Sequence, residues 1–274
     1  MENLCRCNYA DRNGINTSIS KNKKELKNDL QFNKFYYNTR LPLKFKNFDI
    51  NDFKIFGSSL TKEFNQKCLN YIKDFEKDLF KNVILLGKSL VFTGLNRTGK
   101  TILATGLSNK IVEMFYFLNN DYNYYKGTIN KFIRDIDLDK DFEYNFKDLD
   151  FKFYISTEIL NLYRPTFKEQ FNKKEEIYNC QALFIESVEQ ILDSGDFMKE
   201  QIIYELLKYR NLHNKFTIIT SSIKEEELTV KLKDSVGNVL KEDFIFIELQ
   251  DIAYKHENKC VVQRVTYPDT LKRD

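Results

Sequence analysis

Tryptophan is absent from this 274-residue chain, and so is any excess of one charge: 43 Lys and Arg stand against 40 Asp and Glu, a formal net charge of +3. A balance so near neutral excludes a chain-wide positive field for polyanions, so any contact with DNA needs a local patch. No run of 18 apolar residues and no signal peptide occurs, which sets the expectation of a soluble, cytoplasmic protein with no membrane partner. The five cysteines are odd in number and irregularly spaced, which excludes a disulfide framework and suits a reducing compartment. Cys5 and Cys7 fall two ligands short of a structural zinc site, and His256 and Cys260 would have to join them from the far end of the chain. Cys68 and Cys180 sit in apolar surroundings and are expected in the core. Aromatics are plentiful, with 24 Phe and 16 Tyr, while Asn and Lys crowd the polar stretches; this composition reflects the codon bias of an AT-rich genome more than a function.

What is present is concentrated at Gly94-Leu95-Asn96-Arg97-Thr98-Gly99-Lys100-Thr101, which fits the phosphate-binding pattern G-x-x-x-x-G-K-[ST] at every fixed position. Glycines at 94 and 99 let backbone N–H groups turn inward around phosphate oxygens that a Cβ would obstruct. Lys100 reaches the β- and γ-phosphates of a bound ATP as a point charge, and the Thr101 hydroxyl is a natural Mg²⁺ ligand. The context fits as well. Ser89 to Thr93 reads as a short buried strand, and Ile102 to Phe115 as a helix whose N-terminal dipole faces the phosphates.

Around this motif the sequence predicts an α/β domain. Residues 1–40 are expected as an N-terminal arm, a candidate partner-binding segment, and residues 41–274 as the ATPase domain. The first thirty residues are polar and basic, with Lys21, Lys23 and Lys24; from Phe32 to about Phe56 the chain is aromatic-rich and is expected to pack on the core as a lead-in. Apolar residues at Phe64, Cys68, Leu69, Ile72, Phe75 and Leu79 predict a helix over Leu60 to Phe80. Asn119 to Asp150 is rich in Asn, Asp, Tyr and Lys and reads as a surface insertion. Strands are predicted at 151–155, 182–186, 216–220 and 244–249, with helices at Glu158 to about Tyr178 and Phe197 to Asn211. That alternation argues for a mainly parallel sheet flanked by helices on both faces.

P-loop ATPases carry a later apolar strand ending in an acidic pair, one carboxylate supporting Mg²⁺ and the other activating water. Here the strand is Ala182-Leu-Phe-Ile-Glu186-Ser187. Glu186 is the expected magnesium support. Ser187 cannot act as a carboxylate base; Glu189 is near enough in sequence to substitute from the following loop, with its reach undetermined. Ser222, just past the strand 216–220, is the expected water-positioning residue, against the alternative of a strand-end serine satisfying backbone groups. The candidate catalytic set is therefore Lys100, Glu186 and Ser222.

These blocks resemble, in order, the DnaC/IstB-type AAA+ ATPases, a family of bacterial and phage helicase loaders and transposon ATPase helpers. Leu41-Pro-Leu-Lys-Phe-Lys-Asn-Phe48 looks like its lead-in, GLNRTGKTILATGL its P-loop and helix, and Phe153 to Leu160 its second strand and helix. Glu205-Leu-Leu-Lys-Tyr-Arg-Asn211 with Phe216 to Ser222 is similar to its helix ending in Arg and strand ending Thr-Ser-Asn. The resemblance spans roughly 41–250. It implies an AAA+-like P-loop fold, ATP and Mg²⁺ as ligands, a replicative helicase and single-stranded DNA as partners, and assembly as a homo-oligomer. The chain departs from the family at Ser187 and Ser222. Where the family has arginines for a neighbouring subunit's ATP site, the chain has Lys231, Lys233 and Lys241, which lack the planar fork that clamps a phosphate. These departures argue for weak or regulated hydrolysis in a divergent phage or mobile-element member.

Other residues leave alternatives open. Arg210 either reaches nucleotide across a subunit interface or is a solvated helix-terminal arginine stabilised by the dipole. Arg97 either touches phosphate or points to solvent. Lys21, Lys23 and Lys24 suit a solvated tail better than a DNA contact. Tyr122, Tyr124, Tyr125 and Lys126 mix aromatic and basic groups as single-strand binders do, and equally as a partner contact does. Three rivals to a helicase loader remain: a transposition helper with the same ATP site, a nucleotide-gated adaptor that does not hydrolyse, and, last, a small-molecule P-loop kinase, for which Lys126, Lys131, Arg134, Lys140 and Lys147 are too scattered among acids to form a basic lid.

Overall fold

The computed structural model describes residues 29–55, 57–135, 149–163, 168–192, 197–231 and 239–250. The expectations attached to Cys5, Cys7, Lys21, Lys23, Lys24, Lys233, His256 and Cys260 lie outside the described residues, as do the side chains of 121–135.

Five strands form one sheet: β1 (Ser89–Thr93), β2 (Phe151–Ile155), β3 (Ala182–Glu186), β4 (Phe216–Thr220) and β5 (Phe244–Glu248), in the order β2-β3-β4-β1-β5. Every neighbouring pair is parallel, with Leu90 opposite Ile218 and Ile245, and Phe184 opposite Ile218. The strands read as unbroken apolar runs because a parallel sheet is covered on both faces. Side chains alternate across it. Leu90, Phe92, Phe151, Phe153, Ala182, Phe184, Phe216 and Ile218 join one core, and Val91, Tyr154, Leu183, Ile185, Ile219, Phe244 and Phe246 join the other.

The first core is closed by α1 (Leu30–Asn38), α2 (Ser59–Lys77) and α3 (Lys100–Asp135). Ser58 caps α2, its side chain accepting from the Thr61 N–H at 3.3 Å. Helix α1 lies within residues 1–40, set apart as an arm, but from Phe32 on it also belongs to the aromatic-rich stretch expected to pack on the core: Phe32 and Tyr36 are buried and the Tyr36 hydroxyl donates to Asn109 on α3 at 2.8 Å. The packed body therefore includes this helix. Asn109 also donates to the carbonyls of Phe45 and Phe48, at 2.8 and 2.9 Å, and so ties the lead-in to α3.

Helix α3 is 36 residues long and continues into the stretch expected as an insertion. Met114, Phe115, Tyr116, Phe117 and Leu118 carry its buried face past the anticipated end. Asn119 then holds the returning chain, donating to the Leu149 carbonyl at 2.8 Å and accepting from its N–H at 3.0 Å.

The second core is closed by α4 (Ser156–Leu162), α5 (Lys168–Asn179), α6 (Glu189–Leu192), α7 (Phe197–Leu212) and α8 (Glu225–Lys231). One continuous helix was expected from Glu158 to about Tyr178; there are two, and the intervening sequence carries Pro165, which has no N–H to offer a continuing helix. Among the described residues, no helix is long and apolar enough to cross a membrane.

Arg210, near the end of α7, corrects both readings made from the sequence. It is 0 % exposed. Its guanidinium donates to Thr217 Oγ1 and to the carbonyls of Ile177, Cys180 and Phe216, at 2.9, 2.9, 2.9 and 2.6 Å. It joins the last turn of α5 to the first residues of β4, at the end of the sheet opposite the P-loop. Burial pushes its pKa down, and the neighbouring Cys180 pushes it back up. Cys68 and Cys180 are both free and buried, as their surroundings in sequence suggest.

Candidate functional site

The carboxyl ends of parallel strands are open because each chain must leave there for its crossover, and it is at this end that the motif lies. From β1 the chain enters the loop through Gly94 with φ 127° and leaves it through Gly99 with φ 93°. Both glycines are required by packing as well as by any ligand. A Cβ on Gly94 would stand 2.1 Å from the Leu249 carbonyl oxygen, and one on Gly99 2.8 Å from the Phe53 ring. Arg97 also takes a left-handed φ, of 68°, and its side chain is exposed at the mouth.

Lys100, the first residue of α3, is 8 % exposed. Its ammonium is folded back on the loop, donating to the carbonyls of Gly94 and Leu95 at 2.7 and 2.5 Å and to Thr98 Oγ1 at 3.3 Å. The loop thus encircles its own cation, at the place where a phosphate group would offer a stronger set of acceptors. Thr98 donates in turn to the Leu95 carbonyl at 3.0 Å.

Because β4 lies between β1 and β3, its tip separates the P-loop from the acidic strand. Ser221 N–H donates to the Phe92 carbonyl at 2.9 Å, and the Val188 N–H to the Thr220 carbonyl at 3.0 Å. The tip is held on both sides. An open cleft of about 390 Å³ results, walled by Asn96, Arg97, Gly99, Lys100, Thr101 and Ile102 on one side and by Ser187, Glu189, Thr220, Ser221 and Ser222 on the other.

The structure therefore brings Asn96, Arg97, Gly99, Lys100, Thr101 and Ser222 together around one space. Gly94, Leu95 and Thr98 shape the loop behind it. Glu186 is half-buried at the end of β3, on the α3 face of the sheet by alternation with Ala182 and Phe184, and stands one residue back from the cleft wall. Ser187 has a left-handed φ of 59°; its N–H donates to Thr220 Oγ1 at 3.2 Å and its carbonyl accepts from Ser156 Oγ at 2.7 Å. This turn brings Glu189, two residues on, into the wall. Its Oε2 is shut from solvent without a hydrogen-bond partner, as is Thr93 Oγ1 directly before the loop. Spacing alone could not establish the reach of Glu189, because it depends on the backbone reversal at Ser187.

Beside the loop, β5 ends in Glu248, opposite Thr93 in register and buried. Burial pushes its carboxyl above the usual range, Lys224 lowers it, and Glu225 and Glu226 add to the rise. No group of three or more His, Cys, Asp or Glu that could hold a metal ion occurs among the described residues. Magnesium at a phosphate site makes smaller demands: one or two protein ligands suffice when the phosphates and water supply the rest. The positive-φ glycines, the encircled lysine and the Thr101 hydroxyl at the start of α3 fit a nucleoside triphosphate with that ion.

No family model matches the sequence, and no curated protein matches it. Solved structures do. DnaI is similar at 15% identity over 78% of this chain and 94% of its own, with a TM-score of 0.50. The DnaC helicase loader is similar at 16% identity over 76% of this chain and 99% of its own, with a TM-score of 0.47. Domain III of the Thermotoga maritima replication initiation protein DnaA aligns at 14% identity over 76% of this chain and 68% of the other, with a TM-score of 0.48. The likeness to DnaI is one of fold, a parallel α/β sheet flanked by helices, with the P-loop directly after β1.

Proposed function

We propose that the protein is an ATP-binding accessory factor of DNA replication, of the helicase-loader kind, which uses ATP·Mg²⁺ to control its grip on a replicative helicase, on single-stranded DNA, or on both. The observation that carries the reading is the junction of a complete P-loop with the tip of β4 across one cleft. Gly94 and Gly99 shape the cradle, Lys100 supplies the charge, and Thr101 and Glu186 would hold the magnesium ion. Bound magnesium would neutralise part of the phosphate charge. A ligand drawing Lys100 away from Gly94 and Leu95 would reorganise the loop, and the bonds from β4 offer a route to the β3 side of the site. The choice of replication among P-loop functions rests on the ordered sequence blocks that resemble the helicase loaders, and the fold likeness to DnaI is consistent with it.

The test is binding of a fluorescent ATP analogue to wild type and to Lys100→Ala, followed by capture of purified replicative helicase with and without ATP. Binding lost in the variant, and nucleotide-dependent capture of helicase, are the expected results. Capture of a transposase instead would favour the transposition helper. Absence of any nucleotide binding by wild type would sink the reading.

Ser187 favours a second reading, a nucleotide-gated adaptor without turnover, because no carboxylate follows Glu186 directly on the strand. Nucleotide-dependent partner binding without phosphate release would identify it.

A further inference from the structure

We infer that Glu189 is the water-activating carboxylate of this site, taking over from a position three residues after Glu186 the role that Ser187 cannot perform. The inference rests on the ATP reading above and adds to it the residue that would make the site hydrolytic.

Two independent observations converge on this side chain. Ser187 takes up a left-handed backbone, φ 59°, which is uncommon in a residue with a Cβ. The backbone hydrogen bonds on either side, to Thr220 and from Ser156, hold the reversal in place. Its consequence is that the chain turns at once into α6 and places Glu189 in the wall of the cleft that Lys100 and Thr101 also line. The second observation is the carboxylate itself. Glu189 Oε2 is buried without a hydrogen-bond partner, which costs roughly 1–3 kcal/mol and more for a charged group unless a ligand supplies the missing donor. A water molecule admitted between this carboxylate and a γ-phosphate, once the loop rearranges around the nucleotide, would do so.

In the step, the water oxygen forms its bond to the γ-phosphorus while the bond from that phosphorus to the β–γ bridging oxygen breaks. Glu189 takes one proton from the water as the new bond forms and later releases it to solvent. The products are ADP and inorganic phosphate. Nothing is oxidised or reduced.

The experiment compares wild type with Glu189→Gln and Glu189→Asp in two assays: binding of a fluorescent ATP analogue and steady-state phosphate release. Thermal unfolding confirms that each variant is folded. The expected result is unchanged analogue affinity, loss of phosphate release by about 100-fold or more in Glu189→Gln, as for removal of a general base, and partial recovery in Glu189→Asp. Phosphate release by folded Glu189→Gln within about threefold of wild type would overturn the inference and leave the ATP reading standing. Analogue binding by wild type with no phosphate release would also overturn it, in favour of the adaptor. Failure of wild type to bind the analogue would remove both.

Discussion

The N–H of Ser187 donates to Oγ1 of Thr220 at 3.2 Å, so the end of the acidic strand is fastened to the tip of the strand beside it. Replacing Thr220 with Val keeps the shape and removes the acceptor. The expected outcome is a loss of about 1–2 kcal/mol of stability in urea unfolding, with phosphate release falling more than analogue affinity because the turn that carries Glu189 is no longer held.

Arg210 is expected to act on stability alone. Arg210→Met leaves the Ile177, Cys180 and Phe216 carbonyls without their buried donor, at a cost of about 3 kcal/mol or more. Arg210→Lys should rescue little, since one ammonium cannot reproduce a planar fork. Nucleotide affinity of the folded fraction should not change; a large specific loss would restore the interface role.

Gly94→Ala tests the loop from behind. With the Leu249 oxygen 2.1 Å from the new Cβ and φ at 127°, the strand end must shift. The expected result is destabilisation of roughly 2 kcal/mol together with loss of analogue binding, read by unfolding and by fluorescence.

Glu248 gives a pH signature. Burial raises its carboxyl in the folded state above the usual 4.5, so the folded protein holds this proton more tightly than the unfolded chain does. Its contribution is most favourable below the usual pKa and is lost as pH rises through the raised value. Glu248→Gln should therefore raise the unfolding midpoint at pH 7 relative to wild type, and the gap should narrow as the pH approaches 4. A gap that widens on acidification would contradict the assignment.

The strands were the part of the fold most readily read from the sequence. Ser89–Thr93, Phe151–Ile155, Ala182–Glu186 and Phe216–Thr220 have the expected limits, because a parallel strand covered on both faces leaves an apolar run with abrupt ends. Helix α3 outran its expected end because the residues beyond Leu118 no longer carry a clear apolar stripe, and its extension is a property of the whole segment. Arg210 misled for the opposite reason. A charged residue near the end of an amphipathic helix reads as solvated, and only the carbonyls gathered from α5, from Cys180 just after it and from β4 make burial tolerable. Strand order was equally hidden, since nothing local to Phe216–Thr220 specifies its place between β1 and β3; that place explains why Thr220, Ser221 and Ser222 line the cleft.

The ammonium of Lys100 is already engaged by Gly94, Leu95 and Thr98, so an arriving triphosphate would perform a substitution, not an addition. Affinity would then report a difference between two sets of bonds, with the self-contacts of the loop acting as a built-in competitor. Weak, anionic bystanders would not displace them, whereas a triphosphate with its ion would. The resting loop would thus set a threshold that discriminates by ligand charge before any recognition of the base begins.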